Sequence, residues 1–553
     1  MRYLLAAEAD KIQEFIFRSS RLREVVGASQ LLTRFCMEGV PLLLEQHAYG
    51  GNRSRDIVVN DGGSFRIIIE DSDPKKAYQK AKQFGCDLAE LYRLAVDGVI
   101  SVAEPIPLED DFNAANKAAG KALHRAKSHR EGAIAEVHMP YIAFCASCGV
   151  GLAEQHGKLA GEPSNAQSRY LCKACQTKAW ERNIKKHTIL GDFLEEVVGS
   201  EVDAASFECP KEADEVAIYN NRNYVAYLIA DGNNMGQLFD ACTNQYQLSE
   251  LSARLTSATR RSLAEPTKDL MTWSQAKKPS LVPVLPLILG GDDLFALIPA
   301  SCALDFARRF CLAYEEQLQK LVDEIELKAH PTVAAAVVIC KSKYPYTLAH
   351  KRAEKFMSEA KRQCKLLASD TGEQMSAVNF EVILGNRLAG QEVDHERSMA
   401  VRTTLRPYWV VKDGGTISPQ AELYGRDLRN LLDQRFALKD VPNKRLIELC
   451  NHFESLPPDI TVANRQEFIK KWMIGLESFL ERCSSKTELA IKVALGNLGQ
   501  FVKRDVAHYW CELQRNGGKP LAHGMLDLLE VWDFAQDLNK KPEVYELEEE
   551  DAL

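Results

Sequence analysis

Residues 285–299 read LPLILGGDDLFALIP. Two apolar runs, each long enough to cross a sheet, are parted by Gly290, Gly291, Asp292 and Asp293. The runs need burial, while glycine and aspartate accept the backbone angles of a tight reversal, so the stretch reads as a β-hairpin tipped by two carboxylates. Whatever precedes and follows it must build a sheet around that hairpin.

The flanking sequence supplies the pieces. YVAYLIADGNNMGQLFD (224–240) is a strand running into a polar turn and a helix. After the hairpin come a long amphipathic helix from Ser301 to Leu327, the strand TVAAAVVICKSKYPY, and a basic helix beginning at Thr347. Strand, helix, hairpin, helix, strand is a ferredoxin-like order. The same order opens the chain: YLLAA, then a helical stretch from Asp10, then the hairpin DIVVNDGGSFRIIIE around Gly62 and Gly63, then a helix with Pro74 near its start. The reading is a diverged duplication in an α+β chain. It has a first palm-like unit at 1–140 and a cysteine-bearing insertion with linker at 141–221. A second unit at 222–414 carries the Gly-Gly-Asp-Asp, and 415–553 is an all-helical C-terminal domain with an acidic tail.

In a ferredoxin-like sheet the end of the first strand lies beside the turn joining strands two and three. Asp231 ends the first strand of the second unit, so topology brings it to Asp292 and Asp293. Carboxylates meeting at a sheet edge repel unless a cation neutralises them, and Mg²⁺ or Mn²⁺ takes such oxygens together with phosphate. Two such ions would activate an attacking hydroxyl and stabilise a leaving pyrophosphate. Gly290 and Gly291 leave the backbone open to a base or a phosphate. The first copy differs: Gly62, Gly63 and Ser64 carry no carboxylate after the glycines. That copy either binds a nucleotide without catalysing or serves as a structural partner.

Cys145-x-x-Cys148 and Cys172-x-x-Cys175 stand 23 residues apart (149–171). Each pair presents two thiolates on one side of a tetrahedron, and together they predict a closed, structural Zn²⁺ site. His156, between them, is expected to be exposed and not a ligand. The remaining cysteines of the 15 are scattered, which suits a reducing cytoplasm. The net charge of −8 excludes a whole-chain polycation. No apolar run approaches the roughly 20 residues of a membrane span, and the N-terminus meets Glu8, Asp10 and Lys11 too early for a signal peptide.

Taken in order, DKIQEFIF, GASQLL, the GGSF hairpin, the two cysteine pairs, DGNNMG, GGDDLFALIP, YPY…AHKRAEKFMSEAK and TLRPY resemble the large polymerase/cyclase-like subunit of type III CRISPR effector complexes. The resemblance runs over nearly the whole chain and implies two palm domains, a zinc-binding insertion and a helical C-terminal domain. It implies a nucleotidyltransferase that joins ATP into cyclic oligoadenylate, within a cytoplasmic complex of guide RNA and other effector subunits that has bound target RNA. By position, Asp231, Asp292 and Asp293 would bind the catalytic metals, Gly290 and Gly291 would line the nucleotide, and Lys361 would meet phosphate.

Many members of that family begin with an HD-type nuclease domain. This sequence opens directly at the first palm-like unit and holds no His-Asp dipeptide, so the associated DNA cleavage is not expected of it. The basic stretches HRAKSHR (124–130) and RSSRLR (18–23) are candidate RNA-backbone contacts. The competing reading is a non-catalytic scaffold that bridges guide RNA and smaller subunits.

Overall fold

The computed structural model describes residues 1–19, 21–46, 56–128, 143–184, 188–199, 203–274, 280–384, 400–456, 460–499, 509–515 and 518–540. The expected acidic tail lies outside them, as do Ser20, His129 and Arg130.

The chain is α+β, and both ferredoxin-like sheets are present. The first comprises β1 (Arg2–Asp10), β2 (Ile57–Asp61), β3 (Ser64–Glu70) and β4 (Val99–Val102), in the order β2-β3-β1-β4, with β5 (Ile106–Leu108) also on β1. All of its ladders are antiparallel. A small ribbon follows, β6 (Gln155–Gly157) with β7 (Arg169–Leu171). The second sheet takes β8 (Tyr224–Gly232), β9 (Leu285–Gly290), β10 (Asp293–Pro299) and β11 (Val333–Lys341) in the equivalent order β9-β10-β8-β11. It continues through β12 (Ala377–Val382), parallel to β11, which is followed after β13 (Val401–Arg402) by β14 (Tyr408–Trp409).

β8 is central, and its apolar run is buried almost throughout because β10 and β11 flank it and helices cover it. Among them, helices Ala303–Glu324 and Tyr346–Thr371 pack against β8 and β11.

The two sheets are joined by a reciprocal exchange. Helix Leu22–Arg34, which follows β1, packs against β9 of the second sheet. Helix Gln245–Ser274, which follows β8, packs against β2 of the first. Each unit thus lends a helix from between its first strand and its hairpin to the other unit's hairpin, and the two glycine turns come to face a common space.

Helix Leu22–Arg34 also carries the cysteine insertion, through helix Lys173–Glu181. The contact is close at Gly27: a Cβ there would stand 1.8 Å from the Lys178 carbonyl oxygen. Backbone cannot retreat as a flexible side chain can, so Gly27→Ala is expected to cost about 3 kcal/mol, the upper end of ordinary overpacking. Thermal unfolding checks this, and an unchanged melting temperature would show that the helices part easily.

The C-terminal portion is helical, with helices Leu428–Ala437, Asn443–Glu454, Arg465–Leu480, Ser485–Gly499 and Met525–Glu530. The expectation of an all-helical domain needs one amendment. β15 (Cys511–Glu512) and β16 (Leu521–Ala522) join β13 in a three-stranded sheet, β13-β16-β15. Each strand is two residues long, too short to show an alternating pattern in sequence. Among the described residues, no helix is long and apolar enough to cross a membrane.

Candidate nucleotide and metal site

A cleft of about 960 Å³ opens where the two hairpins face each other. Asp61, Gly62, Ser64 and Arg66 line it from the first sheet, and Gly290, Gly291, Asp292 and Asp293 from the second. Helix Phe112–Ser128 closes one side with Lys117, Lys121, His124 and Arg125, while Val59, Phe239, Leu248 and Leu255 give it apolar surface. A Cβ built on Gly62, Gly290 or Gly291 would meet nothing within 4 Å, so these positions border open space. Gly62 and Gly291 also hold positive φ, +57° and +62°, which favours glycine at both tips. Gly63 is different: a Cβ there would lie 2.5 Å from Ile12 Cδ1, so it packs inward and is absent from the cleft lining.

Asp231 is the penultimate residue of β8, one step beyond the Ala230–Leu294 ladder pair, and so level with the turn. The chain behind it is fixed tightly. Gly232 lies against Met235 and the Tyr314 hydroxyl, and Asn233 bonds Thr332 through its backbone N–H (2.8 Å) and its side-chain amide (3.1 Å). Lys361, on the helix after β11, forms an ion pair with Asp231. Burial, then the charges of Asp293 and Asp231, push the Asp292 carboxyl up to about 8. Burial and Asp231 raise Asp293 to about 6 against the opposing pull of Lys361. The three carboxylates therefore lie within electrostatic reach of one another. Asp292 and Asp231 are in hydrogen-bonding reach of each other, while among the described residues only the four cysteine thiols form a group of three or more donors all within 4.8 Å.

The raised Asp292 value has a consequence for stability. The folded protein keeps a proton there up to about pH 8, whereas the unfolded chain releases it near 3.8. Asp292 therefore contributes most favourably below pH 4, and that contribution is lost as pH rises towards 8. In metal-free buffer, wild type is expected to lose stability between pH 5 and 8 relative to Asp292→Asn, and Mn²⁺ should narrow the gap. Thermal melts of the two proteins across that range test this; parallel curves would contradict it.

The first sheet holds a counterpart. Glu8 on β1 lies opposite Ser64 and pairs with Lys127 at 2.6 Å. Lys127 lies on the helix that follows the first unit's fourth strand and β5, as Lys361 lies on the helix after β11. Strand carboxylate and helix lysine therefore occur in both units, and only the turn aspartates are confined to the second. Sequence reading missed Glu8 and Lys127, although the equivalence of position was available. It placed Lys127 within a candidate RNA-contacting stretch, whereas His124 and Arg125 line the cleft and Lys127 reaches β1. Of RSSRLR, Arg21 pairs with Glu162 and Arg23 approaches the Ala160 carbonyl at 3.4 Å, so these arginines hold the cysteine insertion.

In that insertion Cys145, Cys148, Cys172 and Cys175 bring their sulfurs within 4.8 Å of one another, with Cys148 and Cys172 at 3.8 Å. Four thiolates about 2.3 Å from a tetrahedral zinc lie about 3.8 Å apart, so the donor set fits that ion. Backbone N–H groups of Ser147 and Gly151 point at the Cys145 and Cys148 sulfurs (3.4 and 3.3 Å). Behind the knuckle, the buried Glu24 carboxylate accepts from the Ser147 hydroxyl at 2.6 Å, and the buried Lys178 ammonium donates to the Phe15 carbonyl. His156 is exposed against Tyr170 and outside the group.

Residues 224–366, which hold Asp231, the hairpin and Lys361, match the family model for the Cas10/Cmr2 second palm domain. This segment resembles a Cas10-type palm. Similar solved structures include a Csm1–Csm4 cassette in complex with cA4 (15% identity, TM-score 0.43, covering 71% of this chain and 55% of that one). Others are Csm1 in T.onnurineus (14%, 0.42, 68% and 52%) and a Csm1–Csm4 cassette with AMPPNP (15%, 0.39, 68% and 54%). The chain spans about half the length of these structures. A comparison with curated proteins finds no match. The matched residues take in the second sheet up to β11 and the first part of the helix after it; the facing hairpin and the cysteine insertion lie outside them.

Proposed function

We propose that this chain is the nucleotidyltransferase subunit of a type III CRISPR effector complex, and that its Cas10-type palm converts ATP to cyclic oligoadenylate when target RNA is bound. The observation that carries the reading is the cleft itself. An acidic turn on a palm of the matching family faces a second glycine turn across a space walled by Arg66, Lys117 and Lys121. Apolar lining suits bases, and the cations suit triphosphates. The division into a first palm-like unit, insertion, second palm and helical domain belongs to the same proposal.

Asp231, Asp292 and Asp293 would hold Mg²⁺ or Mn²⁺. Bound there, the ions supply charge neutralisation for a ribose hydroxyl attacking the α-phosphorus of the next ATP and for the pyrophosphate that departs. The chain's own residues do the positioning. Gly290 and Gly291 admit the nucleotide against bare backbone, and Lys361, on leaving Asp231, meets phosphate. On the facing turn, Gly62 and Ser64 border a second nucleotide, while Gly63 supports the turn from behind. Zinc at the four cysteines is structural. Guide RNA, target RNA and further effector subunits are the proposed partners, and the cytoplasm is the proposed location.

The test is the assembled complex with labelled ATP, divalent metal and target RNA, read as pyrophosphate and cyclic product. Absence of both from the wild-type complex sinks the proposal. The scaffold reading has one observation in its favour: Lys361 engages Asp231. ATP that binds without turnover in the complex would favour it, and RNA that copurifies with the chain is expected under both readings.

A further inference from the structure

Helix Gln245–Ser274 runs behind the acidic turn, and its hydroxyls do not all behave alike. Ser262, Thr267 and Thr272 donate to the carbonyl four residues back, the usual fate of a helical hydroxyl. Thr256 instead donates out of the helix to Asp61 Oδ2 on the other unit's hairpin. Its oxygen also accepts the Gly291 N–H at 2.6 Å. Thr259 takes the other side of the same peptide segment, donating to the Gly291 carbonyl at 2.8 Å. Asp61 is itself fixed, because its second oxygen accepts the Gly62 N–H at 2.7 Å.

A threonine hydroxyl has one proton. When it accepts the Gly291 N–H at short range, its orientation is set by where that proton goes, and here the proton goes to Asp61. A carboxylate acceptor makes the stronger bond and sharpens that orientation. We infer that Asp61, on the hairpin without turn aspartates, is a positioning residue for the Gly290–Asp293 turn, acting through the Thr256 hydroxyl. The first unit thereby contributes to the geometry of the acidic turn without touching the reacting atoms. The effect on rate rests on the proposed catalytic role of that turn; the effect on the turn's rigidity does not.

Hydrogen exchange of peptides spanning Leu285–Leu297 in the full chain reads rigidity directly. Thr256→Val and Asp61→Ala should each speed exchange in the turn by about tenfold, the scale of losing one charge-assisted hydrogen bond. Thr256→Ser should restore protection, and peptides of the cysteine insertion should be unchanged, which controls for misfolding. The double variant should be no worse than either single one. In the assembled complex the same variants should lower kcat for pyrophosphate release with KM nearly unchanged. Wild-type exchange in Asp61→Ala, or effects of the two substitutions that multiply, would overturn the inference. Altered exchange in a chain whose wild-type complex makes no product would leave the relay standing and defeat the catalytic reading.

Discussion

Alanine at both Asp292 and Asp293 is expected to lower pyrophosphate release by about a thousandfold or more, since two groups that would stabilise developing charge are lost together. The same double variant should melt no lower than wild type in metal-free buffer at pH 8. Burial and mutual charge already disfavour the ionised forms of these side chains in the fold, so removing them relieves a cost. That pairing of outcomes separates loss of chemistry from loss of structure. Equal pyrophosphate release from the variant and the wild-type complex would eliminate the proposed site, and a collapse in melting temperature would show the aspartates to be structural.

The second large effect concerns the cysteines. Purified chain is expected to carry one zinc, and Cys172→Ser with Cys175→Ser should abolish it, measured by elemental analysis. The melting temperature should fall by roughly 5–10 °C, because metal binding is folding energy for so small a module. The damage would spread beyond the insertion: Glu24 and Lys178 are buried behind the knuckle, and Gly27 holds its helix in backbone contact. Charges left buried without their partners are costly. Full stability without zinc would mean that the thiols close the knuckle unaided.

Much of this arrangement was legible from residues alone, for a physical reason. Apolar runs broken by glycine pairs occur twice in the same order, and a ferredoxin-like order fixes which strand ends meet, so Asp231 could be placed beside a turn far along the chain. The cysteine spacing was as direct. What stayed hidden depends on contacts that have no periodicity. Thr256 is one hydroxyl among several on a helix, and its partner Asp61 belongs to the other unit. The pairing of Lys127 with Glu8 was obscured by neighbouring basic residues, and strands of two residues leave no pattern. The reciprocal exchange of helices, which makes the two turns face each other, could be stated only once the sheets were in place.

The repeated pairing of a strand carboxylate with a helix lysine has a use of its own. Glu8 with Lys127 and Asp231 with Lys361 share a sheet position, yet they stand beside turns that differ in their acidic side chains. A cation that enters one and ignores the other chooses between sites within a single molecule, at one concentration, pH and ionic strength. The chain therefore carries its own blank, and selectivity can be read from it without a second protein.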